Sequence, residues 1–431
     1  MKEKFIEKIM DITEKLSRIR IGILIDIIKL IILAPISLIM MPYLKNKNIW
    51  LIEEDTKQAN DNGYALLKYI KKNRPDINVY YVIDKKSKSL DKVKEISNVI
   101  LDKSIKHWIY YFNAKVIAVT QKYANPSPAI FYILHNLGLI KGKRVFLQHG
   151  ITLNDVKCYY YNVCKFDLFI CGAKREYEFV KGTYGYPAEN VVYTGVARFD
   201  EYIDNTLQGK EKFILIAPTW RNWIKNKNKD YEYFDRWNNL INSKQFIEFL
   251  EKNDINVKLV LHQEINKFRD KITSNSKRIQ IYRNDNVDYS QLLLNCIMLI
   301  TDFSSVFFDV AYMKKPVIYF QFDKKEFRKK HLQEGYFSYK EDGFGESFEN
   351  ENDVVNKIIE YKNNNFRMEE EYLQRVENFF ERRDSNNCER IVEAIKKKNR
   401  KPAKSGKFYK NKLAKSGKLS EIYPAKSGKL Y

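Results

Sequence analysis

Leu299–Asp309 (LITDFSSVFFD) and the following Val310–Phe320 (VAYMKKPVIYF) contain the pattern that decides the fold. The apolar run 296–300 predicts a buried strand, and Ser304 and Ser305 open a predicted helix of about ten residues. Pro316 then starts a second apolar strand. A strand, a helix and a second buried strand in this order predict a βαβ unit of a parallel sheet.

The turn between the first strand and the helix is a candidate anion site. The first N–H groups of a helix lack intrahelical partners and lie at the positive end of the helix dipole. With the hydroxyls of Ser304 and Ser305 beside them, these groups would bind a phosphate. The alternative is that Asp302 or Ser304 only caps the helix, and the spacing alone leaves both interpretations open.

Length and composition limit the possible classes of protein. A chain of 431 residues is long enough for two domains, and its net charge of +22 favours anionic partners such as nucleic acid, acidic lipid or a phosphorylated substrate. Its five cysteines are odd in number and include no CxxC pair. This pattern predicts reduced thiols in the cytoplasm, without a disulfide framework or a zinc site.

Residues 1–47 are predicted to associate with a membrane. Residues 1–20 have the spacing of an amphipathic helix, and residues 21–44 are almost wholly apolar with basic residues on both sides. Because Asp26, Lys29 and Pro35 interrupt the apolar run, we favour a helix in the membrane interface, kinked or re-entrant at Pro35. A true membrane span and a buried helix of the first domain are the alternatives. A signal peptide is not expected, since the run lies too deep in the chain and lacks a cleavage site.

From residue 48 onward, short apolar runs alternate with helical segments, which predicts two doubly wound α/β domains. Residues 200–212 have no strand pattern, so we place the first domain at 48–205 and the second at 206–395. The predicted strands are Ile49–Ile52, Val79–Ile83, Val99–Leu101, Val116–Thr120, Arg144–Gln148, Leu168–Cys171, Val191–Thr194, Phe213–Ala217, Val257–His262, Ile279–Tyr282, Cys296–Thr301 and Val317–Phe320.

Ligands of open α/β sheets bind at the carboxyl ends of the strands, so the residues after each strand are the candidate site. His149 and His262 both lie at such ends, and Thr219 and Arg221 follow another strand. The other candidate histidines, His107 and His135, fall inside helical patterns and are interpreted as structural.

Five motifs in order resemble the CDP-glycerol glycerophosphotransferases, bacterial enzymes of teichoic-acid and capsule synthesis. The similarity covers roughly residues 48–395. It implies a pair of Rossmann-like domains facing across a cleft as in GT-B enzymes, an acceptor domain followed by a donor domain, a CDP-linked polyol phosphate donor, and attachment to the inner face of the membrane. The motifs are Phe146–Thr152 (FLQHGIT), Tyr193–Asp200 (YTGVARFD), Ala217–Arg221 (APTWR), Thr301–Asp309 (TDFSSVFFD) and His331–Phe337 (HLQEGYF).

The resemblance implies attack by an acceptor hydroxyl on the polyol-side phosphorus, with CMP leaving. His149 is the candidate base, and His262 with Ser304 and Ser305 would hold the diphosphate. Arg221 would add a bidentate phosphate contact. Asp309 would reach a donor hydroxyl or fix a partner arginine, with a solvated helix residue as the alternative. The further candidates are Thr219 and His331 for donor binding, and Gly150, Arg198 and Asp302 in secondary roles.

Several alternatives remain open at this point. The donor could be CDP-ribitol or another CDP-polyol, the enzyme could be a nucleotide-sugar glycosyltransferase on the same fold, or the basic chain could bind nucleic acid or membrane without catalysis. No acidic cluster is placed for a metal, so we predict metal-independent catalysis, with magnesium accompanying the diphosphate as the alternative.

The last segment, 396–431, contains three copies of Ala-Lys-Ser-Gly-Lys that begin at residues 403, 414 and 425. The glycine spacing is wrong for a P-loop. We expect either a disordered basic tail or electrostatic adhesion to anionic lipid or to a polyanionic product.

Overall fold

The computed structural model describes residues 2–45, 47–202, 211–225, 231–283 and 287–400. The predicted domain boundary at 205/206 and the repeats beyond residue 400 lie outside these ranges.

The N-terminal segment is one helix, α1 (Lys2–Lys45), which contains both Pro35 and Pro42. The helix is continuous at Pro35, so a re-entrant break there is wrong, and the alternative kink at Pro35 stays a prediction. Within α1, Ile21–Leu44 is long and apolar enough to cross a membrane, and only 11% of that window is buried. Leu33 and Leu44 pack into the core of the first domain, whereas most of the apolar side chains of residues 21–44 are exposed or half-buried.

The first domain surrounds a parallel sheet, and its seven predicted strands are confirmed within two residues. The strands are β1 (Ile49–Glu53), β2 (Asn78–Ile83), β3 (Asn98–Leu101), β4 (Val116–Val119), β5 (Lys143–Phe146), β6 (Asn154–Asp155), β7 (Leu168–Cys171) and β8 (Val191–Tyr193), and the helices are α2 (Asn62–Asn73), α3 (Leu90–Lys94), α4 (Ile105–Asn113), α5 (Pro128–Asn136), α6 (Tyr161–Cys164) and α7 (Lys174–Thr183). Short 3-10 helices cover Lys157–Tyr159, Ala188–Asn190 and Ala197–Glu201. The sheet order is β3-β2-β1-β4-β5-β7-β8.

The second domain repeats this architecture, and its five predicted strands are also confirmed. The strands are β9 (Phe213–Ala217), β10 (Asn256–Leu261), β11 (Ile279–Arg283), β12 (Met298–Thr301), β13 (Val317–Phe320), β14 (Gln333–Glu334) and β15 (Ser347–Phe348). The helices are α8 (Glu232–Asn242), α9 (Lys244–Asn253), α10 (Tyr289–Asn295), α11 (Phe307–Tyr312), α12 (Lys324–Lys330), α13 (Tyr339–Asp342), α14 (Glu351–Asn363) and α15 (Glu370–Phe379), with a 3-10 segment at Gln263–Lys271. A last helix, α16 (Asn387–Arg400), follows them. The sheet order is β11-β10-β9-β12-β13-β15.

Both sheets are buried on their two faces, which explains the continuous apolar runs. Ile49 and Leu51 of β1 pack with residues of α1, α4 and α5, while Trp50 and Ile52 pack on the opposite face with α2 and α16. Side chains alternate between the faces of a strand, so a strand covered on both sides needs apolar residues at every position.

The helix after β12 differs from its prediction. It begins at Phe307 rather than at Ser304 and has six residues instead of about ten. Ser304 and Ser305 therefore lie in the turn that precedes α11. Because α11 has only six residues, its dipole would stabilise a phosphate at this turn less than the longer helix that we predicted.

The chain returns to the first domain at its end. In α16, Cys388 and Ile391 pack in the core beneath the first sheet, and Asp200 accepts hydrogen bonds from the N–H groups of Asn387 and Cys388, both at 2.8 Å. Residues 396–400 continue α16, so the predicted limits of 395 and 396 do not separate a domain from a tail.

Strand pairing also joins the two domains. Strand β14, in the predicted His331–Phe337 motif, pairs antiparallel with β6 of the first domain. A Cβ atom at Gly335 would lie 2.4 Å from the Leu153 carbonyl oxygen, so only glycine permits this close approach.

Candidate active site

The carboxyl ends of the two sheets enclose a cavity of about 270 Å³. Nine predicted site residues line it: His149, Gly150, Arg198, Thr219, His262, Ser304, Ser305, Asp309 and His331. The topology accounts for this convergence, because the loops that follow parallel strands all lie at the same edge of a sheet.

His149 and Gly150 follow β5 and face the turn after β12. A Cβ atom built at Gly150 would lie 3.1 Å from the Ser305 Oγ. The histidine loop of the first domain and the serine turn of the second are therefore in close approach across the cleft.

Arg198 joins the two halves of the site. Its Nε and Nη2 atoms donate to Asp309 at 2.6 and 2.8 Å, and its Nη1 donates to the Asp61 carboxylate at 2.8 Å and the His149 carbonyl at 3.0 Å. Asp309 was predicted either to reach a donor hydroxyl or to fix a partner arginine, and these two hydrogen bonds support the second role. The alternative of a solvated helix residue is wrong, because Asp309 is buried.

The predicted phosphate contact of Arg221 is wrong. Its guanidinium is fully buried and donates to both oxygens of Asp323 at 2.7 and 2.9 Å, while Nη2 lies 2.9 Å from Asp302. Asp302 in turn accepts the N–H groups of Thr219 at 2.8 Å and Phe303 at 2.6 Å. This buried cluster fixes the positions of the two strand-end loops instead of contacting a ligand.

The second-domain histidines flank the ring of Trp220. The ring centroid of Trp220 lies 6.0 Å from that of His262 and 4.7 Å from that of His331. Each histidine accepts a backbone N–H at Nδ1, from Glu264 at 3.2 Å and Asn222 at 3.1 Å respectively. A neutral ring that accepts at Nδ1 carries its proton on Nε2, so both rings are hydrogen-bond donors at Nε2.

The pKa of His331 is lowered to about 4 by burial and by the nearby Arg221. His331 is therefore neutral at pH 7, and it would contact a phosphate as a hydrogen-bond donor and not as a cation.

Sequence reasoning missed the loop between β1 and α2 together with the first residue of α2, Asn62. Asn62 donates to the carbonyls of Leu147 and Gln148 at 3.3 and 2.7 Å, and its Oδ1 accepts the Arg198 N–H at 3.2 Å. Burial and the neighbouring Asp61 raise the pKa of Glu54, which also lines the cavity, to about 8. The only sequence signal for this loop was its position after the first strand.

No group of three or more histidine, cysteine, aspartate or glutamate residues suited to a metal ion occurs among the described residues. The metal requirement stays a prediction.

The family model of CDP-glycerol:poly(glycerophosphate) glycerophosphotransferase matches residues 32–397. The chain belongs to this family. The resemblance inferred from the five motifs is therefore confirmed.

Curated relatives act in teichoic acid synthesis. The minor teichoic acid biosynthesis protein GgaB of Bacillus subtilis strain 168 is 37% identical over 369 residues, which cover 81% of this chain and 40% of GgaB. A teichoic acid poly(glycerol phosphate) polymerase of Staphylococcus epidermidis is 28% identical over 206 residues, covering 46% of this chain and 26% of that protein. The matched regions thus span less than half of these relatives.

The solved structure of the wall teichoic acid polymerase TagF has a TM-score of 0.64 at 17% identity, over 90% of this chain and 97% of that one. The UDP-bound MnaA of S. aureus has a TM-score of 0.51 at 14% identity, over 81% and 96% of the two chains. These likenesses confirm the predicted GT-B-like fold.

Proposed function

We propose that this protein transfers glycerol phosphate from CDP-glycerol to a hydroxyl group of a membrane-linked teichoic-acid or capsule-type acceptor, with release of CMP. The observation that carries the proposal is the approach of the histidine loop to the serine turn, with Gly150 against Ser305. It sets a candidate base on one domain opposite candidate phosphate-binding groups on the other.

His149 would accept the proton of the attacking hydroxyl. Phosphoryl transfer needs in-line positioning of the nucleophile and a base for its proton, and a neutral imidazole is suited to that role near pH 7. The first-domain residues that line the cavity include several carboxylates and carboxamides, among them Asp55, Asn60 and Gln121. Such groups hydrogen-bond to hydroxyls, which fits an acceptor end made of a polyol or sugar.

The second domain would hold the donor. Donor groups at His262 and His331, with the hydroxyls of Ser304 and Ser305, would bind the diphosphate and stabilise the charge that develops on CMP. The buried Arg221–Asp302 pair supports this role indirectly, since it fixes the loop that carries Thr219.

CDP-ribitol is the second candidate donor. The relatives include the teichoic acid ribitol-phosphate polymerase TarK of S. aureus strain NCTC 8325, which is 25% identical over 271 residues, covering 57% of this chain and 50% of TarK. Glycerol and ribitol polymerases resemble this chain to a similar degree, so identity does not separate the two polyols.

We place the protein at the cytoplasmic face of the cell membrane. The exposed apolar side chains of α1, such as Ile31 at 67% and Ile39 at 80% exposure, support a membrane-facing surface. The acceptor would then reach the cleft from the lipid to which it is attached.

A donor screen tests the proposed function. The purified chain is incubated with CDP-glycerol, CDP-ribitol or a UDP-sugar, together with a synthetic lipid-linked glycerol phosphate primer, and released nucleotide is measured. We expect CMP release that depends on the primer with CDP-glycerol. CMP release with CDP-ribitol but not with CDP-glycerol would show that the transferred group is ribitol phosphate. Release of UDP from the UDP-sugar, without CMP release from either CDP-polyol, would contradict the proposal.

A further inference from the structure

The residue before the candidate base has an unusual backbone conformation. Gln148 has a φ angle of +58°, in the left-handed region of the backbone that residues other than glycine and asparagine rarely adopt. Such a conformation persists only where surrounding contacts enforce it, and it recurs at functional sites. The turn at Gln148 sets the direction in which His149 leaves β5.

The side chain of Gln148 is fully engaged beneath the loop. Its amide Nε2 donates to the Ile170 carbonyl at 2.5 Å and to Glu176 at 3.0 Å, and its Oε1 accepts the Thr152 hydroxyl at 2.6 Å. The two ends of the segment 148–152 are therefore tied together through one buried carboxamide.

Glu176 holds this arrangement from below. It is fully buried in the first turn of α7, where its oxygens accept the N–H groups of Thr152 and Gly172, each at 2.6 Å, besides the Gln148 amide. Burial raises the pKa of Glu176 to about 7, and these donors oppose that rise because they favour the charged form.

A carboxylate in the first turn of a helix commonly stabilises only that helix. Glu176 does more, since it bonds to two residues of the His149 loop, Gln148 and Thr152. From the other side, Asn62 and Arg198 bind the carbonyls of Gln148 and His149 at 2.7 and 3.0 Å. The backbone at His149 is thus fixed from two sides.

We propose that Glu176 is a positioning residue for His149, acting through Gln148 and Thr152 to hold the loop in its left-handed turn. Glu176 is fully buried and is not among the described residues that line the cavity. The proposal rests on the proposed function in that it takes His149 to be the base. The hydrogen bonds that support it are those of the 148–152 loop.

The test compares Glu176→Gln and Thr152→Val with a matched control. Glu176→Gln replaces one accepting oxygen by an NH2 group, which faces the N–H donors that Glu176 accepts in the wild type. Thr152→Val removes the hydroxyl that donates to Gln148 and keeps the shape of the side chain. The control is Asn190→Ala, which removes a buried hydrogen bond of 3.1 Å to the Phe166 carbonyl at the outer strand of the same sheet.

Four quantities are measured for each variant: the thermal midpoint, kcat, KM for CDP-glycerol, and the histidine Cε1–H NMR signals. The signal of His149 is assigned from the His149→Ala spectrum. We expect Glu176→Gln to lower kcat about a hundredfold with KM unchanged, as a small misplacement of a catalytic group does. Thr152→Val should lower kcat roughly tenfold, in line with one lost hydrogen bond. In both variants the His149 signal should move, while the Asn190→Ala variant should change only its thermal midpoint.

The inference is overturned if both variants lose thermal stability while kcat and the His149 signal match the wild type. Should Glu176→Gln fail to fold, Thr152→Val decides by the same readouts. If the wild type transfers no glycerol phosphate, the proposed function fails, and the His149 signal still decides whether Glu176 positions that residue.

Discussion

Arg198 of the first domain and Asp309 of the second form a buried ion pair with two hydrogen bonds, of 2.6 and 2.8 Å. Since Arg198 also holds the His149 carbonyl, one side chain connects the candidate base to the helix that follows the serine turn. A change at this pair should therefore affect both the stability of the domain interface and the geometry of the site.

Replacing Asp309 with Asn should destabilise the protein by about 3 kcal/mol, because it leaves the charge of Arg198 buried with one carboxylate fewer. The free energy of unfolding from urea titration measures this loss. The control is Asp384→Asn, which breaks the half-exposed pair with Arg390 at 2.8 Å and should cost less than about 1 kcal/mol. Equal losses for the two variants would contradict a special role of the buried pair.

Replacing Gly335 with Ala should separate β14 from β6, since the added Cβ would lie 2.4 Å from the Leu153 carbonyl oxygen. We expect a loss of about 1 to 3 kcal/mol in stability, together with weaker transfer, because the strand pair holds the two domains together. Gly182, where a Cβ meets nothing within 4 Å, provides the control. Its replacement by Ala in α7 should leave transfer unchanged and stabilise the fold by about 0.5 to 1 kcal/mol.

Glu54 predicts a pH dependence of stability. Its pKa rises from an ordinary value of 4.5 to about 8 in the folded protein, so the folded state holds a proton that the unfolded state releases. This contribution to stability is complete below pH 4.5 and is lost as the pH rises toward 8. Glu54→Gln should therefore flatten the fall of the thermal midpoint across this range, and an unchanged slope would show that Glu54 is ionised in the folded protein.

The exposed side of α1 should bind membranes. The double variant Ile31→Glu/Ile39→Glu should reduce co-sedimentation with vesicles that contain phosphatidylglycerol, since charged side chains resist burial in the interface. Leu101→Glu, at an exposed position of the outermost strand β3, is the control and should bind like the wild type. If the α1 double variant binds the vesicles as strongly as Leu101→Glu does, the exposed side of α1 is not the membrane-binding surface.

Local patterns predicted most of the fold. Runs such as Phe213–Ala217 are apolar at every position because both faces of the strand are buried, and such a run is visible without the structure. The motifs also placed His149 and Ser305 correctly at opposing strand ends, since topology alone brings those ends together.

Long-range contacts account for what could not be predicted. Arg221 follows a strand, as do the residues that line the cavity. Its side chain instead hydrogen-bonds to Asp323, which is about a hundred positions away in the sequence. Strand β14 has two residues, too few to show a periodic pattern, and its pairing depends on the other domain. The helix α16 looks like any amphipathic helix, so its return to the first domain was not visible either.

The central claim is that His149 serves as the base for transfer from a CDP-linked donor held by the second domain. The most direct measurement combines primer extension, followed by mass spectrometry, with calorimetric binding of CDP-glycerol, for the wild type, His149→Ala and the control His135→Gln on α5. We expect His149→Ala to reduce extension about a thousandfold while donor affinity stays unchanged, and His135→Gln to extend the primer normally. Extension by His149→Ala at the wild-type rate would contradict the claim.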